Sequence, residues 1–424
     1  MDRRRWSNLD ATVFGDVHAR IRPLMRLLVI FALNTSFVLF LLALTLAFHR
    51  LLKRPQPCQL PDEELPSVSI VIPVRNEERQ IERSLRSLAL QSYPRFEIVV
   101  FDDQSEDATA AKVEALAREF PGMKLIRASE PPPLGWNGKT HALARAVEHT
   151  SGDWLFFSDA DTEHKPNSLR DGMGYAIRAQ ARLLSLWPTQ ELGSFWERVV
   201  MPVIWGSFFW FDPFHTVNDF SFDTAYAIGQ YLLVERRAYL CVGGHAGVRD
   251  SFIDDHDLAK GFKYRAFNLL VADGRQLYTT RMYQSGKALW YGWTKTLFRL
   301  MEYNPLILVI VILCINAMCL MPFLELSVVA AMWFTASVPD HYPVLVGLVA
   351  AQLVAVFIWW MRMLGCYRGL GLPYLLFVPA GSLVATAVCL NSAWCVWKGR
   401  TIRWKDREYP QKRSGRHLSQ PPAR

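Results

Sequence analysis

The sequence predicts an α/β domain built on a mainly parallel sheet and set between apolar segments that span a membrane. Three observations predict it. Strand-like and helix-like patterns alternate from residue 66 to about 290, acidic clusters fall where the strand-like runs end, and very apolar runs occupy both ends of the 424-residue chain. Alternation of this kind builds parallel sheets from βαβ units. Such sheets bind ligands at the carboxyl ends of their strands.

The elements follow in order. Val68–Val74 is a strand, and Glu77–Gln91 is a helix with Ile81, Leu85 and Leu88 on one face. Phe96–Phe101 is a second strand, followed by a helix over Ala108–Phe120 that carries Val113, Leu116 and Phe120. Lys124–Arg127 is a third strand, Gly138–His149 a helix and Trp154–Ser158 a fourth strand. Strand one ends in Pro73-Val-Arg-Asn76-Glu77, strand two in Asp102-Asp103-Gln-Ser105-Glu-Asp107, and strand four in Asp159-Ala-Asp161. Ser105 and Asp107 are open between ligand contacts and helix caps. Asp159 and Asp161 are not explained by capping, which needs one short polar side chain. Two ionised carboxylates this close repel unless a cation lies between them. A hard divalent ion, Mg²⁺ or Mn²⁺, is held through one or two carboxylates plus substrate phosphates. No Walker-type loop and no Gly-x-Gly-x-x-Gly turn is present.

The flanks are membrane-like. Leu27–Phe48, about 22 residues, is long enough to cross a bilayer at ~1.5 Å per residue. It lacks the small-residue cleavage site of a signal peptide, and His49-Arg50-Leu-Leu-Lys53-Arg54 follows it. Residues 306–338, 344–361 and 373–397 form three or four further spans, with a hairpin expected at Pro322. The basic tail from Lys398 is expected in the cytoplasm, beside anionic lipid. With the catalytic segment on the same side, an even number of C-terminal spans is required. The net charge of +8 lies largely in these flanks. It fits a membrane surface and excludes nucleic acid, because no zinc-finger spacing or base-reading basic helix accompanies it. The seven cysteines contain no CxxC and fall mostly in apolar runs, so they build neither a disulfide framework nor a metal site.

The motifs Ser-Ile-Val-Ile-Pro-Val-Arg-Asn-Glu (69–77), Val-Val-Phe-Asp-Asp-Gln-Ser (99–105), Gly-Lys-Thr-His-Ala-Leu (138–143) and Phe-Ser-Asp-Ala-Asp-Thr (157–162) resemble the family 2 glycosyltransferases. Gly229-Gln230-Tyr231, Gly243-Gly244-His245 and Ile253-Asp254-Asp255-His256-Asp257 agree with this. The resemblance covers about 66–300 and implies a GT-A fold, Rossmann-like and nucleotide-sugar-binding. It implies that Asp103, Glu77 and the backbone near Pro73 hold the uracil and ribose of a UDP-sugar. Asp161 would ligate the metal with Asp159 beside it, and Asp255, with Asp254 as its neighbour, would be the general base. Lys139 is open between a donor contact and a solvated first-turn lysine. Arg281 is open between the diphosphate and the Asp254–Asp255 acids.

The Gln-x-x-Arg-Trp motif of polysaccharide synthases is missing after the acidic pair, which speaks against a processive polymerase. Thr280-Arg-Met-Tyr283, with Gly292-Trp293-Thr-Lys295, is similar to the hopene-associated and carotenoid (diaponeurosporenoate-type) glycosyltransferases, and distantly to ceramide glucosyltransferases. All of these act on lipid acceptors. Aromatic-dense stretches around Trp205 and Trp210, and around Trp290 and Trp293, are open between interfacial helices and core.

The expected organisation is a basic segment and anchor over 1–60, a cytoplasmic glycosyltransferase domain over 66–300, membrane helices over 304–397 and a basic tail over 398–424. The expected activity is inverting, metal-dependent transfer of a single sugar to a hopanoid, carotenoid or sphingolipid-like acceptor at a bacterial-type inner membrane. The rivals are a processive synthase and a catalytically inert membrane scaffold.

Overall fold

The computed structural model describes residues 3–211, 214–219, 221–335, 340–404 and 407–409, with side chains from residue 25 onward except 214–215, 402–404 and 409. The expected basic tail beyond residue 409 lies outside the described residues.

The centre is a mixed seven-stranded sheet. Its strands are β1 (Val68–Val74), β2 (Phe96–Asp102), β3 (Met123–Arg127), β4 (Trp154–Phe157), β6 (Leu183–Trp187), β8 (Leu232–Glu235) and β9 (Leu269–Asp273), in the order β3-β2-β1-β4-β8-β6-β9. β1 pairs in parallel with β2 and β4, while β8 runs antiparallel to both its neighbours. β1 is buried on both faces, as a central parallel strand must be. Ile70, Ile72 and Val74 enter one core with Leu85, Leu88 and Leu116, and Val71 enters a second with Leu143 and the apolar helices. The register Val74↔Asp102 brings the ends of β1 and β2 side by side. The first helix is Ile81–Ala89, starting four residues later than expected. Residues 77–80 are a turn that borders the site instead.

A smaller sheet joins β5 (Thr162–His164), β7 (Thr189–Glu191), β10 (Tyr278–Thr280) and β11 (Tyr367–Arg368), in the order β11-β7-β10-β5. It ties the loop of Asp159 and Asp161 to the strand before Arg281. It also ties both to the connection between the last two apolar helices.

The expected anchor is one long helix, Arg3–Leu51, of which Met25–Leu51 is apolar enough to cross a membrane. Tyr342–Leu364 and Leu372–Trp397 also pass that test. Pro305–Cys319 and Met321–Phe334 form a pair bent by 46° rather than the antiparallel hairpin expected at Pro322. Pro322 sits in the first turn of its helix, where its missing N–H costs nothing and its ring ends the preceding helix without reversing the chain. The anchor and Tyr342–Leu364 run in the same direction: Phe31 packs with Leu345, Asn34 donates to Gln352 at 3.0 Å, and His49 meets Cys366 at 3.5 Å. Asn34 and Gln352 both donate to Glu325, at 3.1 and 2.7 Å, so this buried carboxylate lies within a hydrogen-bonded cluster among apolar helices.

Candidate active site

One cavity of about 850 Å³ opens where the carboxyl ends of β1, β2 and β4 meet. Pro73, Glu77 and Asp103 line one end. Asp159, Asp161, Lys139, Asp254 and Asp255 line the middle, and Trp205, Phe208, Tyr283, Trp293 and Lys295 line the far end. Most of the predicted site residues therefore share one space.

At the first end, Asp103 is buried, and its backbone N–H donates to the Val74 carbonyl at 2.9 Å. The buried Arg75 guanidinium holds the carbonyls of Asp103 and Gln104 at 2.6 and 2.7 Å. Asn76 and Gln104 take φ values of 52° and 60°, a left-handed backbone uncommon outside glycine that clusters at functional sites. Ser105 and Asp107 prove to stitch loops together. Ser105 accepts from the Asn76 N–H at 3.0 Å, while Asp107 accepts from Glu78 at 3.1 Å and from Thr109 at the next helix's start at 3.0 Å.

In the middle, Asp159 pairs with the Lys139 ammonium at 2.8 Å, which also lies 4.0 Å from Asp254. Lys139 is thus no solvated lysine. Burial would lower its pKa, but Asp159, Asp254 and Asp255 outweigh that and hold it charged. Asn137 fixes it by capping the helix Gly138–Val147 through the Lys139 N–H. Asp161, open to the cavity yet deep in the protein, is pushed up to about 7 by burial and by the charges of Asp159 and Glu77. Among the described residues no three His, Cys, Asp or Glu side chains form a metal-holding group. A carboxylate pair that relies on phosphate and water for its other ligands does not need one. Asp161 suits that role, since burial and like charge both leave its ionised form short of a cation.

Asp255 accepts the Gly229 N–H at 2.7 Å and the His256 N–H at 2.9 Å. Burial, and then the charge of Asp254, push it up to about 7, in the range a general base requires at neutral pH. A Cβ at Gly229 would lie 3.2 Å from Asp255 Oδ2 and 3.3 Å from Lys139 Nζ, close enough to crowd both groups. Asp254 lies 3.7 Å from His245, which burial lowers to about 4 and whose Nδ1 bonds the Tyr239 hydroxyl at 2.9 Å. His245 is thus held inside the fold between Tyr239 and Asp254.

Arg281 takes a partner that neither alternative named. Its guanidinium pairs with the buried Glu197 at 3.2 Å through two nitrogens, away from Asp254 and Asp255, while its backbone N–H bonds the Asp161 carbonyl at 3.1 Å. Glu197 accepts the Gly193 and Ser194 N–H groups as well, so Arg281 clamps the start of the aromatic helix Phe195–Phe211. An apolar-periodic helix gave no sequence signal that its lone acid carries this role.

The tryptophans divide. Trp205 (4% exposed) and Trp293 (3%) line the cavity, with ring centroids 6.3 Å apart, and Tyr283 lies 6.0 Å from Trp293. Gly292 leaves room for the Tyr283 ring, which a Cβ there would meet at 2.2 Å. Trp210 lies elsewhere: its indole donates to Thr45 at 3.0 Å, pegging the aromatic helix to the anchor. Trp290 packs against the core outside the cavity. Lys295 faces the cavity between the acids and the aromatic wall. Burial and the nearby Lys139 lower it to about 8.

Comparison with known proteins agrees with this geometry. Residues 69–239 match the family described as Glycosyl transferase family 2. The chain is 30% identical over 244 residues to a 4,4'-diaponeurosporenoate glycosyltransferase of Staphylococcus haemolyticus, covering 55% of this chain and 62% of that protein. It is 27% identical over 234 residues to the protein of that name in Staphylococcus aureus, covering 54% and 60%. The chain thus spans about three-fifths of the length of these curated relatives. The fold is similar to that of a mannosyltransferase from Pyrobaculum calidifontis solved with GDP-mannose and Mn²⁺, with a TM-score of 0.51 at 18% identity over 87% of this chain and 98% of that one. Residues 69–239 match the family 2 glycosyltransferases, the fold is GT-A-like, and the chain resembles the carotenoid glycosyltransferases.

Proposed function

We propose that the chain is a membrane enzyme that moves one sugar from a nucleotide-sugar, UDP-linked in the first instance, to a lipid acceptor, with inversion at the anomeric carbon. One observation carries the reading. A single cavity joins the acid-lined strand ends, where a nucleotide diphosphate would bind, to an aromatic wall of Trp205, Phe208, Tyr283 and Trp293. A polar donor and an apolar acceptor can meet there. The curated relatives named for a carotenoid acid support an apolar acceptor.

In this reading Glu77, Asp103 and the Pro73 backbone take the nucleoside, and Asp161 and Asp159 hold Mg²⁺ or Mn²⁺. The ion would supply positive charge to the departing diphosphate. Lys139, kept charged by three carboxylates, stabilises the same developing charge. Asp255 takes the proton of the attacking hydroxyl. The Gly229 and His256 N–H groups each occupy one of its oxygens, so the carboxylate is held in place with a lone pair on each oxygen still available. A single base opposite the leaving group gives a single displacement and hence inversion.

The anchor and Tyr342–Leu364 span the membrane with their ends at residues 51 and 364 beside a cytoplasmic catalytic domain. The bent pair Pro305–Phe334 runs outward between them.

The test is the purified protein in nanodiscs of bacterial lipid extract, given radiolabelled UDP-glucose with and without Mn²⁺ and resolved by thin-layer chromatography. A single Mn²⁺-dependent, lipid-mobile band supports the proposal. Label held at the origin as polymer would replace it with a synthase. No transfer from any nucleotide-sugar would leave the inert scaffold.

A further inference from the structure

Beyond the last apolar helix the chain turns back as a two-stranded hairpin, β12 (Ile402–Trp404) and β13 (Arg407–Tyr409). From β13 the Arg407 guanidinium reaches the catalytic domain. It pairs with one oxygen of the Asp103 carboxylate and donates to the Gln104 side-chain oxygen at 2.9 Å. Arg407 is 304 positions away from Asp103 in sequence, and its side chain is only 17% exposed. Asp103 is 2% exposed, and its second oxygen, Oδ1, has no hydrogen-bond partner among the described residues. A buried carboxylate oxygen without a donor is costly and indicates that a ligand N–H or O–H belongs there.

We propose that the C-terminal hairpin is part of the donor site and that Arg407 is a positioning residue. It grips Oδ2 of Asp103 and presents Oδ1 to the base or ribose of the nucleotide, while its charge favours an anionic ligand. This rests on the nucleotide-donor reading above. Electrostatics favours it over a latch that merely blocks the pocket. The carboxylates of Glu77, Asp103, Asp159, Asp161, Asp254 and Asp255 line the cavity, so a cation at its nucleoside end helps to admit a diphosphate. The helix before the hairpin also holds the acceptor side. Its Ser392 hydroxyl accepts the Phe298 N–H at 3.0 Å, and its Asn391 donates to Thr294 at 3.1 Å, both on the helix that carries Trp293 and Lys295. One C-terminal segment therefore contacts elements that line both ends of the cavity.

The test is calorimetric titration of UDP in Mn²⁺ buffer into the full chain in nanodiscs, with Arg407→Ala, Arg407→Lys, Asp103→Asn and Glu408→Ala. Arg407→Ala is expected to weaken UDP about tenfold, as for loss of one charge-assisted contact. Arg407→Lys recovers part of that, and the exposed neighbour Glu408→Ala changes nothing. In turnover the Arg407→Ala loss falls on donor KM rather than on kcat, which general destabilisation would not produce. UDP affinity that is unchanged or tighter in Arg407→Ala, while Asp103→Asn weakens it, overturns the proposal and leaves the donor pocket standing. If Asp103→Asn is also neutral, the nucleotide reading of the pocket itself fails.

Discussion

Asp255→Asn is the sharpest probe of the catalytic assignment because it changes charge and proton affinity with almost no change in shape. Two backbone N–H groups, of Gly229 and His256, hold the two carboxylate oxygens at 2.7 and 2.9 Å. Asparagine offers one acceptor oxygen, so its amide nitrogen must face one of those donors. That leaves a buried N–H unsatisfied, at a cost of about 1–3 kcal/mol in stability. Loss of the base costs about 10²–10⁴-fold in kcat, or about 3–5 kcal/mol in the barrier at 1.36 kcal/mol per decade. The two effects separate by assay: thermal melting reads the first, and single-turnover transfer from saturating donor reads the second. The pH dependence gives an independent check. Asp255 is held up to about 7 by burial and Asp254, so it is protonated and inactive as a base below that pH. Wild-type kcat should rise through about pH 7 and then level, and the residual rate of the variant should lose that step. A variant within about tenfold of wild type with UDP affinity intact, or a wild-type profile flat between pH 5.5 and 8.5, refutes the assignment.

Other substitutions test the neighbouring claims. Asp161 is pushed up to about 7, above the unfolded value of about 4, so its contribution to stability is fully present below about pH 4 and is lost as pH rises to about 7. Mn²⁺ binds the ionised form and should raise the melting temperature more at pH 8 than at pH 5.5, and Asp161→Asn should abolish the difference; an equal Mn²⁺ shift at both pH values would count against this metal site. Gly229→Ala places a methyl 3.2 Å from Asp255 Oδ2 and should lower kcat by about tenfold with little loss of melting temperature, since small displacements of a base are costly. Trp210→Phe removes the hydrogen bond to Thr45 and should cost about 1 kcal/mol of stability without changing acceptor KM; a raised acceptor KM would return Trp210 to the cavity.

Local patterns carried much of this into the sequence. The strand ends were legible because three of the four apolar runs stop at acids, and parallel pairing in register then brings Val74 beside Asp102 and Asp103 beside the turn of Glu77. Lys139 was ambiguous because a first-turn lysine reads the same whether it faces water or Asp159, and only the fold of the 159–161 loop decides. The pairing of Arg281 was illegible for a similar reason. Its partner Glu197 lies 84 positions away at the mouth of an aromatic helix, and long-range ion pairs leave no periodic trace. Trp205 and Trp210, five residues apart on one helix, looked equivalent by composition. Helical geometry sends one to the cavity and the other to the anchor.

The last apolar helix shows what hydropathy leaves out. Residues 372–397 are long and apolar enough to be a span, and counting them as one makes the number of crossings after the catalytic domain odd. Contacts argue otherwise. Gly381, near the helix start, lies so close to the Val199 carbonyl that a Cβ there would stand 2.2 Å from it, and Ser392, near its end, bonds the Phe298 N–H. The helix therefore touches the catalytic domain's own apolar helices at both ends. It also packs against Pro305–Cys319, where Ser382 donates to Asn316 at 3.1 Å and Asn316 donates to Thr386 at 2.8 Å, with Leu383, Leu390, Trp394 and Trp397 exposed on its other side. On the proposed reading it does not cross the membrane, leaving one outward and one return span, and that even number puts the Arg407 hairpin on the side of the donor pocket. The helices it rests on carry Trp205 and Trp293, so an acceptor would approach the base from the lipid side while the nucleotide approaches from water.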